Sequence, residues 1–167
     1  MLIRPETPAD FGAISSLVEE AFANHIHSKQ TEHLIVDALR NAGALHLSLV
    51  AAEDGDIVGH IAFSPVKIAG VDCAWLGLGP VAVVPRRQRQ GIGPALIERG
   101  LEDIQAMGAC GCVLLGHPEY YRTFGFHALP QLTLMNVPVE YFLARSFIDQ
   151  IPEGAVEFHD AFSLGLN

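Results

Sequence analysis

Glutamine, glycine and arginine are concentrated in one short stretch of an otherwise acidic chain. Residues 81–96 read Val-Ala-Val-Val-Pro-Arg-Arg-Gln-Arg-Gln-Gly-Ile-Gly-Pro-Ala-Leu. Glycine lets a backbone come close to a ligand, and the arginines supply positive charge. The free N–H groups at the start of a helix, together with the helix dipole, bind anions. The stretch therefore predicts a phosphate-binding turn.

The residues on either side of this turn predict the elements that hold it. An apolar, β-branched run that begins at Val81 stops at Pro85. Apolar residues then recur at helical spacing from Ile92 to Met107, and Gly108 stands where a helix would end. The unit is thus a strand, a turn and a helix. The alternative to phosphate binding is an ordinary strand-to-helix turn with a solvated basic face.

The spacing of these residues resembles that of a known family. Gln88-x-x-Gly91-x-Gly93 is similar to the pyrophosphate loop of the GNAT superfamily of N-acetyltransferases. Tyr121, four residues before a Gly-Phe pair, is similar to a second segment of that family. The resemblance, which reaches to about Phe126, implies an acetyl-CoA-dependent N-acetyltransferase without a metal. It also implies a mixed α/β fold, with a mainly antiparallel sheet of six or seven strands, flanked by helices and splayed between the fourth and fifth strands.

The resemblance assigns roles to individual residues. It implies that the backbone of Val81, Ala82 and Val83 holds pantetheine, and that a main-chain N–H near Val83 polarises the thioester carbonyl. The residues implied to cradle the pyrophosphate are Gln88, Arg89, Gln90, Gly91, Ile92, Gly93 and Pro94. Pro94 departs from most relatives because proline has no N–H, so we expect the loop to function with one donor fewer.

Tyr121 aligns with the tyrosine that protonates the sulfur of coenzyme A in this family. A tyrosine with a pKa of about 10 stays protonated at neutral pH and can donate a proton. Two alternatives remain open. Tyr121 could be an amphipathic core residue, or Tyr120 could be the donor if the helix register is shifted by one residue.

The general base that would deprotonate an amine is not apparent. The segments expected to splay, Leu76–Val84 and Val113–Leu115, contain no carboxylate. His117 follows the second segment, and histidine is the residue type suited to proton transfer at physiological pH, so it is the predicted base. His60 and Glu119 are further candidates, and a water chain or an amine that arrives partly neutral would serve equally.

Two other functions fit parts of the sequence. The missing carboxylate suits a non-catalytic acyl-CoA-binding regulatory domain. Gly77-x-Gly79-x-x-Ala82 has the letters of a dinucleotide-binding fingerprint, but that motif must follow a strand and open a helix. Here extended chain continues to Pro85, so we interpret these glycines as a bulge within a strand.

Length, charge and composition set limits on the whole chain. Its 167 residues, 50% of them apolar, suit one domain over residues 1–167. A net charge of −9 argues against nucleic acid and suits a small amine or the amino group of a peptide. No apolar run approaches the ~20 residues of a membrane span, and no signal peptide is apparent. We therefore expect a cytoplasmic protein, and a homodimer is left open.

Histidine and cysteine are not arranged as metal ligands. His25, His27 and His33 lack a fixed spacing such as HExxH, so we expect solvated loop histidines and no metal. The three cysteines include no CxxC pair, and we interpret them as reduced thiols.

The order of elements predicts the topology. The long strand Cys73–Val84 and the short strand Gly111–Leu115 should be parallel neighbours, because one helix crosses between them. In the tail, strands are predicted at Leu132–Val137 and Ala155–Phe158, joined by an apolar helical segment around Tyr141–Ile148.

Overall fold

The computed structural model describes residues 1–164, which form eight strands and four α-helices. The strands are β1 (Leu2–Pro5), β2 (Leu47–Glu53), β3 (Asp56–Ile68), β4 (Val71–Val83), β5 (Gly111–Leu115), β6 (Leu132–Thr133), β7 (Phe142–Ser146) and β8 (Gly154–Glu157). The helices are α1 (Phe11–Phe22), α2 (Glu32–Asn41), α3 (Ile92–Ala106) and α4 (Pro118–Tyr121). Each of these helices is too short or too polar to cross a membrane.

Six strands form the main path of a mostly antiparallel sheet, in the order β1-β2-β3-β4-β5-β7. β8 pairs with the end of β3 and with the two-residue strand β6. β4 and β5 are parallel neighbours, with Trp75 beside Gly111 and Gly77 beside Val113. The predicted parallel pair and the mainly antiparallel sheet are therefore confirmed, as a helix crossing from one strand to the next requires.

β4 diverges from β5 at a bulge. The register between β3 and β4 shifts so that two steps along β3, from Ile61 to Phe63, match three steps along β4, from Val81 to Leu78. The extra residue lies at Gly79, whose φ of +142° favours glycine. Beyond this bulge β4 pairs only with β3, and a wedge opens on the side of β5.

α3 packs directly on β3 because glycines on both elements leave room for the contact. A Cβ at Gly59 would stand 2.9 Å from methyl groups of Ile92 and Leu96. A Cβ at Gly100 would stand 2.5 Å from the ring of Phe63. A side chain at either glycine would push the helix from the sheet. This close packing fixes the first turn of α3 beside the end of β4.

The segment around Tyr141–Ile148 is a strand, so the predicted helix is wrong. A 3₁₀ turn at Val139–Tyr141 leads into β7, which pairs along its whole length with β5. β5 pairs with β4 over only three residue pairs. β7 forms backbone hydrogen bonds with the other edge of β5. Leu143 on β7 is buried, whereas Ile148 is 44% exposed.

The remaining tail strands are shorter than predicted or displaced by a residue. The predicted strand Leu132–Val137 is reduced to β6, because only Leu132 and Thr133 find a partner strand. The predicted strand Ala155–Phe158 corresponds to β8, one residue earlier in the chain. After β8 the tail turns towards α2, where Ala161 and Phe162 pack beside Leu39.

Candidate functional site

A cavity of about 540 Å³ lies between the end of β4, the start of α3 and α4. It is lined by Val81, Val83, Arg87, Gln88, Arg89, Gly91, Gly93, Pro94, Ile97, Tyr120 and Tyr121. The structure thus brings together most of the predicted coenzyme-binding residues and Tyr121. Three of the predicted coenzyme-binding residues are not in the lining: Ala82, Gln90 and Ile92.

The phosphate loop, residues 88–94, has amides that lack an acceptor. Gly91 precedes the first residue of α3 with a φ of +88°, in the region that favours glycine. Five consecutive backbone N–H groups have no acceptor among the described residues: those of Arg89, Gln90, Gly91, Ile92 and Gly93. Pro94 has no N–H to add. Five donors at a helix N-terminus form a site for an anion such as a diphosphate.

The space in front of this loop is open. A Cβ built at Gly91 meets no atom within 4 Å. The side chain of Arg89 is exposed and lines the same cavity. Unpaired donors, open space and positive charge together fit a diphosphate group, so the residues present suit coenzyme A.

Two glutamines brace the loop. Gln88 Nε2 donates to the carbonyl oxygen of Val83 at 3.0 Å, joining the loop to the end of β4. Gln90 Nε2 donates to the carbonyl oxygen of Arg86 at 3.2 Å. Ile92 is 2% exposed and belongs to the core beneath the loop. The side chains of Gln90 and Ile92 therefore support the loop, while their amides remain free.

The backbone of β4 alternates between β3 and the cavity. The Val84 N–H donates to the carbonyl oxygen of Val58 on β3 at 3.0 Å, whereas the Val83 oxygen accepts from the loop. Successive residues of a strand direct their backbone groups to opposite sides. Val81 and Val83 therefore present theirs to the cavity, and Ala82 presents its own to β3.

Tyr121 has its ring in the core and also lines the cavity. The ring occupies the space that a side chain at Gly116 would need, and it packs edge-on against Phe126 with centroids 6.1 Å apart. Burial raises the pKa of Tyr121 to about 12, and the neighbouring Tyr120 adds to this shift. Tyr121 therefore stays protonated at neutral pH and can donate a proton into the cavity.

Tyr120 stands beside the phosphate loop. Its Oη lies 3.6 Å from a Cβ built at Gly93. Its ring meets that of Tyr121 edge-to-face, with centroids 4.9 Å apart. Burial raises the pKa of Tyr120, so this hydroxyl also stays protonated at neutral pH. The two tyrosines thus contact different parts of the cavity wall.

His117 is not brought together with Tyr121 in the cavity lining. It is exposed at the start of α4, and its ring packs edge-on against Tyr141 with centroids 5.9 Å apart. Glu119 is also exposed. The cavity lining drawn from residues 1–164 contains no aspartate, glutamate or histidine.

His60 belongs to a buried polar cluster formed by Glu6, Arg40, Ser48 and His60, here called the Glu6 cluster. His60 Nε2 lies 2.8 Å from Ser48 Oγ, which donates to Glu6. Arg40 forms a bidentate ion pair with Glu6, in which Nε donates to Oε2 at 2.8 Å and Nη2 donates to Oε1 at 2.9 Å. Burial is the main cause that lowers the pKa of His60 to about 4, so His60 is neutral at physiological pH.

The tail packs on β4 at Gly77, the last residue of β4 that pairs with β5. A Cβ at Gly77 would lie 2.8 Å from the ring of Phe158. A carboxylate side chain therefore does not fit at this point of β4. The contact could not be read from the sequence, because Gly77 and Phe158 are distant in the chain.

Two residues of the cavity were absent from the predicted site, Arg87 and Ile97. Arg87 was visible as part of the basic turn, and Ile97 as an apolar position of the following helix. Neither belongs to the motif, so only the packing of α3 reveals them.

The remaining candidate groups are metal ligands and thiols. Within residues 1–164 no three His, Cys, Asp or Glu side chains are grouped to hold a metal ion. The cysteines Cys73, Cys110 and Cys112 are unpaired thiols, and burial raises the pKa of Cys112. A buried thiol with a raised pKa is a poor nucleophile.

Known proteins share this architecture. The family model described as acetyltransferase (GNAT) domain matches residues 2–129. The chain is 39% identical over 127 residues to the uncharacterized N-acetyltransferase YhbS of Escherichia coli strain K12, covering 75% of this chain and 73% of that protein.

Two solved structures extend the likeness to nearly the whole chain. A GNAT family acetyltransferase from Brucella melitensis, in complex with acetyl-CoA, is 50% identical with a TM-score of 0.88 and covers 96% of this chain and 97% of its own. YhbS from Escherichia coli, in complex with CoA, is 33% identical with a TM-score of 0.90 and covers 97% and 91%. This chain belongs to the GNAT family of acetyltransferases.

Proposed function

We propose that this protein transfers the acetyl group of acetyl-CoA to a primary amine of a small molecule or peptide, by direct attack within a ternary complex. Family membership supports acetyl transfer, and two similar proteins were solved with acetyl-CoA or CoA. The observation that carries the proposal is the cavity itself. It brings Arg89, Gly91 and Gly93, whose amides are unpaired, together with the protonated Tyr121.

Binding would use backbone groups along two elements. The amides of residues 89–93 would hold the diphosphate, with Arg89 adding charge. The backbone groups of Val81 and the N–H of Val83, which β5 leaves unpaired, would receive pantetheine as an added strand receives hydrogen bonds. The amide nearest the thioester, assigned to Val83, would stabilise the oxyanion that develops during attack.

Tyr121 would act as the general acid. The amine nitrogen forms a bond to the acetyl carbon, the carbon–sulfur bond breaks, and Tyr121 Oη gives its proton to the departing sulfur. A proton from solvent then restores the phenol. The raised pKa keeps the donor protonated throughout the physiological range.

The residues that line the cavity support direct attack. The lining described above contains no cysteine or serine that could carry the acetyl group as a covalent intermediate. The amine must lose a proton, and we propose that it arrives partly neutral or passes the proton to water. His117 remains the proposed protein base if water connects it to the cavity.

Initial rates with acetyl-CoA and a panel of amines test this proposal. When both substrates are varied, intersecting double-reciprocal lines support a ternary complex, and parallel lines would indicate a covalent acetyl-enzyme. Binding of acetyl-CoA without turnover of any amine would instead support a non-catalytic regulatory domain. The lack of a carboxylate in the lining makes that second function worth testing.

A further inference from the structure

We propose that Glu53 is a positioning residue for the phosphate loop, and that it acts through Arg87. The proposal rests on the proposed function, because it concerns how the same cavity holds the diphosphate of acetyl-CoA. Neither residue belongs to the Gln-x-x-Gly-x-Gly motif. Glu53 stands more than thirty residues before the loop, at the end of β2.

The ion pair joins a hairpin to the loop. Arg87 Nη1 lies 2.7 Å from Oε2 of Glu53, in an ion pair whose angles are outside hydrogen-bond geometry. On its other edge, Arg87 Nε donates to Oε1 of Gln90 at 2.8 Å. Gln90 in turn donates to the carbonyl oxygen of Arg86. One guanidinium therefore ties the β2–β3 hairpin to both ends of the turn that presents the free amides.

Arg87 is held in the cavity wall and still has an unpaired hydrogen-bond donor. The side chains of Arg87 and Glu53 are only 28% and 30% exposed, so solvent screens their attraction less than on an open surface. Arg87 lines the cavity, and its Nη2 has no hydrogen-bond acceptor within residues 1–164. A planar guanidinium fixed on two edges offers its remaining nitrogen to a phosphate oxygen at little further entropy cost.

A competing role for Glu53 makes the opposite prediction. If Glu53 merely neutralised Arg87, its removal would free a cation beside the diphosphate and strengthen binding. If Glu53 positions Arg87 and the loop, its removal weakens binding. The direction of the change in affinity therefore separates the two roles.

The test is Glu53→Gln, which keeps the shape and removes the charge. The KM for acetyl-CoA should rise about 10-fold with kcat nearly unchanged, because a charge-assisted contact that orders the site is lost. The KM for S-acetylpantetheine, which lacks the diphosphate, should not change. Arg87→Lys should give the same pattern, because lysine keeps the charge but loses the planar fork.

Asp103→Asn supplies a matched control. It breaks the Arg99–Asp103 pair within α3, which is 3.0 Å long and 41% and 29% exposed. This variant should leave both KM values unchanged. An unchanged or lower KM for acetyl-CoA in Glu53→Gln would overturn the proposal, as would an equal rise for S-acetylpantetheine.

Calorimetry with CoA and with pantetheine repeats the comparison without turnover. If no amine is acetylated, the proposed function fails, yet weaker CoA binding with unchanged pantetheine binding still supports the role of Glu53. Equal affinities of the wild type and Glu53→Gln for CoA contradict that role whether or not an acceptor is found.

Discussion

The Glu6 cluster and the phosphate loop both contain several polar groups close together. They differ in whether those groups are hydrogen-bonded within the protein. In the Glu6 cluster, the Arg40 guanidinium, the Glu6 carboxylate and the Ser48 hydroxyl are all partnered inside the protein. A cavity of about 330 Å³ is lined in part by Glu6, Arg40 and Ser48, whose side chains are hydrogen-bonded to one another. In the phosphate loop, five consecutive amides have no acceptor within residues 1–164, and a Cβ built at Gly91 meets no atom within 4 Å. Polar groups that are paired internally hold the fold, whereas unpaired donors beside a cavity are available to a ligand.

The largest effect is expected from closing the phosphate loop with Gly91→Glu. The side chain would enter open space in front of the amides and place a negative charge where the diphosphate belongs. Acetyl-CoA affinity should fall by on the order of 10³-fold or more, as expected when several charge-assisted hydrogen bonds are lost. Isothermal calorimetry measures this directly.

Gly108→Glu is the control for that substitution. Gly108 follows the other end of α3 with a φ of +95° and also has no atom within 4 Å of a built Cβ. Both variants carry the same backbone strain, about 1 kcal/mol, and the same charge. Only Gly91→Glu should lose acetyl-CoA. Similar losses in the two variants would mean that strain, rather than the cradle, is responsible.

Tyr121→Phe separates turnover from binding within the cavity. General acid catalysis is typically worth ~10²–10⁴-fold, and a thiolate is a tolerable leaving group, so kcat should fall by roughly 10²-fold. Acetyl-CoA affinity should stay nearly unchanged. Tyr120→Phe should do much less. If the Tyr120 variant is the slower enzyme, the donor is the residue beside the phosphate loop, and our assignment is wrong.

Arg40→Ala should lower the stability of the protein and leave its acetyl-CoA affinity unchanged. It would leave the Glu6 carboxylate, whose side chain is 13% exposed, without its cation. Loss of one partner from such a largely buried pair should cost about 2–3 kcal/mol of unfolding free energy, or roughly 5–10 °C in Tm. Urea unfolding and calorimetry on the same samples check both halves. A weakened acetyl-CoA affinity in the folded variant would show that the two regions are coupled.

His60 should make the stability of the Glu6 cluster depend on pH. Its pKa is lowered to about 4, chiefly by burial and further by Arg40, although Glu6 opposes the shift. The unfolded chain takes up this proton below about pH 6.5, while the folded protein does not until about pH 4. The contribution of neutral His60 to the free energy of unfolding is therefore fully present above pH 6.5. It is lost as the pH falls towards 4, by on the order of 2 kcal/mol.

Urea unfolding of wild type and His60→Gln between pH 7 and pH 4.5 measures this contribution. The variant should show a flatter dependence on pH. Parallel curves would mean that His60 titrates alike in the folded and unfolded chains. The carboxyl pKa of Glu6 is also lowered, so its contribution disappears only at more acidic pH.

The sequence predicted best where local pattern and local structure coincide. β5 was predicted with its observed bounds, because a short apolar run is delimited by glycines at both ends. β7 was mistaken for a helix because a short apolar run has no unique periodicity, and its partner β5 lies far away in sequence. The pairing of β7 with β5, which is distant in sequence, determines that this segment is a strand.

The same distinction applies to the candidate site. The phosphate loop was predictable because strand, turn, glycines and helix start are adjacent in the chain. The position of His117 against Tyr141, the contact of Phe158 with Gly77, and the Glu53–Arg87 pair depend on non-local packing. No spacing along the sequence encodes those contacts.

A titration of the ¹⁵N-labelled protein with acetyl-CoA, followed by two-dimensional amide NMR, tests the central claim most directly. The five amides of residues 89–93, unpaired in the free protein, should show the largest shift changes. The amides of Glu6, Arg40 and Ser48 should barely move, since the side chains of these three residues are already hydrogen-bonded to one another. Binding that leaves the amides of residues 89–93 unchanged, or that shifts the Glu6 cluster most, would contradict the account.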